Sequence, residues 1–236
     1  MNKANIRKIS IVLAYLCAAH WFIFSETITF KADTMKGNTS EKNEYTVLSG
    51  NAYVKTDDME ISADEIEMTG KDFRYITARG SIKGKNLSSN FDFTCQTLKF
   101  DRETKIAVLE GDVFLDDIDN EVKAKAQIIE YNQNTEIAVM QVQVELKSKD
   151  SVCTSSIAVY NKDNQLVTLS GNPKIVRKED IFRAQEILLN IDTEEITLDG
   201  KVRGTVVDEE EKTDAADQKT GEASSNTDNK PEQERL

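Results

Sequence analysis

The chain has 236 residues, 31% of them charged and 39% hydrophobic, with a formal net charge of −12. That balance is the one of a globular domain and excludes a chain that is membrane-embedded throughout. Affinity for phosphate backbones needs clustered cations, which so acidic a sequence lacks, so nucleic acid is excluded as a partner.

The N-terminal segment stands apart. Lys3, Arg7 and Lys8 precede an apolar run over residues 9–24, broken by Ser10 and His20. Cations ahead of a short apolar stretch predict a secretory signal over residues 1–25, with Ser25 as a small residue at the cleavage point. A spanning helix usually needs about 20 apolar residues, and an uncleaved N-terminal anchor is the alternative reading. Leu16 stands where a lipidated cysteine would want a small neighbour, which argues against lipidation of Cys17.

Residues 26–207 are predicted to form one ordered domain. Half a repeat opens it, in Ile28, Phe30, Ala32 and Met35. A phrase closed by glycine then returns in Leu48-Ser49-Gly50, Ala78-Arg79-Gly80, Leu109-Glu110-Gly111, Leu169-Ser170-Gly171 and Leu198-Asp199-Gly200, with Gln141 read as the residue standing where the glycine is missing. A fixed period of about 30 residues means that one small unit is stacked on copies of itself. Ala107, Leu109, Gly111, Val113 and Leu115 share one side of a strand while Val108, Glu110, Asp112 and Phe114 share the other, the period of two that a half-buried strand requires.

A second strand follows in each repeat, and its apolar phase slips by one residue: Met59, Ile61, Ala63 then Ile66, Met68; Phe91, Phe93, Cys95 then Leu98, Phe100; Val122, Ala124, Ala126 then Ile129, Tyr131. Such a slip reverses every side chain unless a bulge or bend absorbs it, so each strand is expected to bend there from one sheet to another. Ala32, Ala63, Cys95, Ala126, Ser155 and Ala184 fall at that point, small enough for a tight corner. Polar turns beginning at Asp101, Asn132, Asn161 and Asp192 close the units into antiparallel hairpins. The fourth repeat, with Met140, Val142, Val144 and Leu146, reads as shifted in phase, and Pro173 points to an unpaired or edge position.

From residue 208 to 236 the sequence carries ten acids against four bases and few apolar residues, which predicts a disordered acidic tail.

Catalytic chemistry is thin. The single histidine, His20, lies in the leader, so neither a histidine-assisted nucleophile nor a histidine zinc site can be assembled, and no cofactor or enzymatic activity is expected. Asp57-Asp58 and Asp116-Asp117 are carboxylate pairs at hairpin ends, without aromatic neighbours to grip a sugar. Asp116, Asp117, Asp119 and Asn120 hint at a calcium loop that lacks the usual glycine and terminal glutamate. Cys95 and Cys153 lie two repeats apart, about 20 Å at the spacing of stacked strands, and are expected to be buried and unpaired.

The recurring Leu/Ala-x-Gly-x-Val strand, the second strand ending in Ala-x-x-Ile-x-Tyr and the polar turn after it resemble the LptA/OstA family of periplasmic lipopolysaccharide-transport proteins over residues 28–207. The resemblance implies an all-β fold, a repetitive antiparallel two-sheet V-shaped β-jellyroll or β-taco open along one edge. It also implies that lipopolysaccharide, or a similar acylated glycolipid, lies with its acyl chains in an apolar groove. Members join edge strand to edge strand with other jellyroll components, copies of themselves included, between inner and outer membranes. Groove candidates are Met59, Ile61, Phe91, Phe93, Val113, Leu115, Val122, Ile175, Phe182 and Val202. The departures are the acidic tail, the degraded fourth repeat and the strong negative charge, and because of that charge binding would rest on acyl burial, about 0.8 kcal/mol per CH₂, rather than on phosphate pairing. A membrane-anchored partner like LptC is the alternative within the pathway. A periplasmic polysaccharide-acting β-helix enzyme is the alternative from another class, but carboxylates clustered at matching positions of neighbouring repeats are not found.

Overall fold

The computed structural model describes residues 27–38 and 44–207; the segments expected to be a leader and an acidic tail, and residues 39–43, lie outside the described residues. The repeat appears as one antiparallel sheet of sixteen strands that does not close on itself. Eight long strands form its middle: β3 (Tyr45–Lys55), β4 (Met59–Thr69), β5 (Tyr75–Asn86), β6 (Phe91–Asp101), β7 (Ile106–Asp117), β8 (Val122–Asn132), β9 (Ile137–Ser148) and β10 (Ser151–Asn161). Each pairs with the next as a hairpin.

At both ends the rungs are broken in two. β1 (Thr29–Lys31) and β2 (Thr34–Asn38) pair with the two halves of β3. β11 (Leu166–Ser170) and β12 (Lys174–Arg177) pair with the two halves of β10. β13 (Asp180–Arg183) pairs with β12 and β14 (Glu186–Asn190) with β11, and β16 (Arg203–Thr205) on β13 and β15 (Ile196–Asp199) on β14 complete the stack. Pro173 falls in the break between β11 and β12, where no ladder N–H is demanded.

The phase slip is absorbed by a bulge. Ser49 pairs with Glu65 and Ala52 with Ala63, so the glycine strand spends one residue more than its partner, and the same shift recurs through β10. The extra length sits at a corner with two consecutive positive φ angles, such as Gly50 (75°) with Asn51 (46°) and Gly111 (83°) with Asp112 (46°). At Gly80 a Cβ would lie 2.2 Å from the Asp64 carboxylate, so a side chain there would require Asp64 to move.

Register corrects the reading of the fourth repeat. Glu110 and Gln141 both pair with Ile128, which makes Gln141 the equivalent of Glu110 and Val142 the equivalent of Gly111. Val142 and Gln143 take the corner with φ of 66° and 57°. Ala138, Met140, Val144 and Leu146 are buried in the same phase as Ala107, Leu109, Val113 and Leu115, so this rung is regular apart from that one residue. The phase looks shifted only when Gln141, rather than Val142, is aligned with Gly111.

Asp or Asn closes the long strands because its side chain accepts from the turn that follows. Asp101 Oδ1 accepts from the N–H of Glu103 (2.9 Å), and Asn132 Oδ1 from Asn134 (2.9 Å). In the last such turn Asn190, not Asp192, does this, accepting from Thr193 N–H at 3.0 Å.

Candidate functional site

Each long strand bends at its corner so that both halves bury the same face. An extended strand of eleven residues is about 35 Å long. Yet Asp117, at one end of β7, accepts a hydrogen bond at 2.7 Å from the hydroxyl of Tyr160, which lies in β10 beside the opposite ends of the strands. The sheet is therefore folded over, with its two rows of turns brought together.

The fold-over encloses an apolar interior. Met59, Ile61, Phe91, Phe93, Val113, Leu115, Val122 and Ile175 are all at most 6% exposed and line the wall on one side of the corner. The wall facing them is built from Ile66, Leu98, Leu109, Ile129, Met140 and Leu169, equally buried and absent from the sequence-derived candidates. Their signal was the same alternation, before the corner on the glycine strands and after it on the others. Fully burying such a side chain contributes about 1.5–3 kcal/mol, so the two walls hold the fold as well as shaping its inside. Phe93 lies over Gly84 of the neighbouring strand, where a Cβ would come within 2.1 Å of its ring.

Two candidates sit elsewhere. Phe182, opposite Ile175 in β13, is half-buried near the C-terminal end, and Val202, between β15 and β16, is 53% exposed and outside the core. Both lie where the stack runs out of rungs to cover them.

Among the described residues the interior is open at its ends. Phe30 and Met35 pair with Val54 and Leu48, which are buried, and so face inward, yet they are 43% and 55% exposed because no further rung covers β1 and β2. At the other end Val202 and Val206 are 53% and 71% exposed. β1, β2, β15 and β16 each leave one edge unpaired within the sheet.

Polar groups close the mouth. Lip one carries the turns at 56–58, 87–90, 118–121, 149–150 and 178–179, and lip two those at 70–74, 102–105, 133–136, 162–165 and 191–195. Backbone bonds join turns along each lip, such as Leu87 N–H to Asp58 O (2.7 Å) in lip one and Gln133 N–H to Lys105 O (3.0 Å) in lip two. Across the mouth, side chains take over. Lys105 pairs with Asp58, Tyr131 donates to Ser89 Oγ (2.8 Å), Lys162 Nζ reaches Asp117 (2.6 Å) and Asp119 (3.4 Å), and Lys149 meets Glu194 (3.5 Å). Asp117 and Lys162 are nearly fully buried, and the ammonium also lies 5.0 Å above the Phe91 ring. The hinted calcium loop is thus filled by an ammonium, while Asp116 turns away to Lys123 (3.0 Å). The carboxylate pair at Asp57-Asp58 likewise contributes Asp58 to an ion pair.

Burial governs the titratable groups inside. It pushes the Cys95 and Cys153 thiols up to about 12, and both cysteines are free and buried, as their spacing predicts. Burial likewise raises the Tyr131 phenol to about 12, and raises Tyr160 further with help from its bond to Asp117. Such groups stay protonated at neutral pH and serve as hydrogen-bond donors rather than acids.

Residues 29–163, and again 99–195, match the family model described as "LptA/(LptD N-terminal domain) LPS transport protein". The chain belongs to this family. Overlapping matches are what an LptA-like repeat should give, since one rung aligns with the next. A solved structure similar to the chain is that of LptH, described as the LptA homologous periplasmic component of the conserved lipopolysaccharide transport device from Pseudomonas aeruginosa. It is 12% identical, with a TM-score of 0.22, covering 77% of this chain and 96% of that one. No curated protein sequence matches the chain. The folded-over sheet is the LptA-like jellyroll that the resemblance implied, and the family is one of transport proteins.

Proposed function

We propose that this LptA-like chain is a periplasmic carrier of lipopolysaccharide or a similarly acylated glycolipid, and that it joins other jellyroll components through its end strands to bridge the inner and outer membranes. The observation that carries this reading is an apolar interior running the length of the stack and, among the described residues, uncapped at both ends. Acyl chains are matched to such a column, since each CH₂ moved out of water contributes about 0.8 kcal/mol. Unpaired edge strands supply the joints, because their free N–H and C=O groups pair with a further strand. The leader-like segment over residues 1–25 supports export, and the mature N-terminus separates a soluble carrier from an anchored, LptC-like component.

Photo-crosslinking tests the lipid. A benzophenone-bearing phenylalanine at Phe93 or Phe182 in cells is expected to capture acylated lipid, whereas one at Lys83, exposed on the outer face, is not. Protein free of attached lipid at both inner positions would overturn the carrier reading.

A further inference from the structure

Most contacts across the mouth share one offset, while at the C-terminal end Arg177 Nη2 donates across a shorter one to Glu194 O (2.8 Å). Asp58 meets Lys105, Ser89 meets Tyr131, Asp117 meets Tyr160 and Lys162, and Lys149 meets Glu194, each time a turn of lip one against a turn three rungs further along lip two. Along each lip the backbone holds neighbouring turns, whereas these bridging contacts run through side chains, which can part without unpairing a strand.

The seam is also imperfectly satisfied when shut. Near the Ser89 to Tyr131 bond, Asn86 Nδ2 and both polar atoms of the Gln133 amide are buried without a hydrogen-bond partner. Buried polar groups left unpaired cost free energy that exposure to water returns. Closure therefore brings together an attractive element, the buried Lys162 to Asp117 pair, and an opposing one within the same seam. A two-state element needs that balance.

We propose that the seam between the lips is a lateral latch, bolted at its centre by Lys162 on Asp117, which must part for long acyl chains to enter the interior. The proposal rests on the carrier reading above. It assigns the latch residues a positioning role: they hold the walls together and touch no lipid tail in the closed state. Entry through the uncapped ends is the competing route, and the experiment separates the two.

The full chain carrying Cys17→Ser, Asp58→Cys and Lys105→Cys is stapled across the mouth with a short bis-thiosulfonate that reduction releases. Cys95 and Cys153 are buried and do not react in the folded protein. The probe is a long-chain polyene fatty acid whose fluorescence rises on leaving water. The stapled protein is expected to lose rapid uptake and to regain it when the staple is reduced. In parallel, the paired change Asp117→Asn with Lys162→Met removes the bolt without stranding a buried charge. It is expected to take up the probe severalfold faster, with thermal unfolding followed on the same sample to show that it is folded. Uptake equally fast with the staple closed and open overturns the latch and leaves the carrier reading standing, since the chains then enter by the ends. Absence of uptake by every form, the unaltered chain included, overturns both.

Discussion

At Val142 a β-branched residue holds φ at 66°, a conformation that five equivalent corners give to glycine. Left-handed backbone at a non-glycine residue costs of order 1–3 kcal/mol, and a branched Cβ adds to the crowding. Val142 is 49% exposed, so its side chain recovers little by burial. Val142→Gly is therefore expected to raise stability by about 1 kcal/mol, after the extra freedom glycine gives the unfolded chain is subtracted. Gly111→Val should lose at least as much, because a Cβ there would stand 2.9 Å from the Gln96 side chain. Urea midpoints measured side by side check both, and a Val142→Gly midpoint below that of the unaltered chain would refute the strain argument. The sequence hides this site because valine is the residue least expected at positive φ, so the missing corner was assigned one place early, to Gln141.

Among the elements, the hairpin turns decide the response to acid. Arg74 grips Asp101 with two bonds, Nε to Oδ1 at 2.9 Å and Nη2 to Oδ2 at 2.7 Å, tying neighbouring turns of lip two together. The Arg74 guanidinium holds the Asp101 carboxyl far below the usual carboxylate range. Its stabilising contribution is complete above the unfolded pKa of about 3.9 and is lost as pH falls from there through the native value. Asp101→Asn should thus lower stability at neutral pH and bring it close to that of the unaltered chain in strong acid. Thermal unfolding as a function of pH checks this, and parallel curves for the two proteins would show that the pair contributes nothing. The hairpins, the corner bulge and the small residues at it were legible because each leaves a local mark: alternation, a one-residue slip, and a side chain no larger than cysteine or serine. The second wall carries the same alternation as the first, but Leu98 and Ile129 follow the slip in strands whose earlier residues, Phe93 and Val122, carry the same signal on the other side of the corner. The seam was not legible, because Asp117 and Lys162 are 45 residues apart in turns that read as solvated polar sequence.

For the molecule as a whole, stability and assembly are separated in space. The middle rungs bury their inward faces, while Phe30 and Met35 at one end and Val202 and Val206 at the other leave apolar surface beside unpaired edges. An inward-pointing charge at an edge strand blocks pairing at small cost to the rest of a sheet. If the end-strand joint proposed above also joins copies of this chain, Met35→Lys is expected to abolish that concentration-dependent association, read by light scattering, while leaving the melting temperature nearly unchanged. Association that survives the substitution would move the joint away from β2.

The three-rung offset between the lips has a further consequence, since it makes the two directions along the stack unequal. A copy added tail to head would carry the oblique seam onward without a break, whereas a copy added head to head would reverse its slant at the joint. A filament of these chains would accordingly be threaded like a screw, with one sense of advance written into every junction.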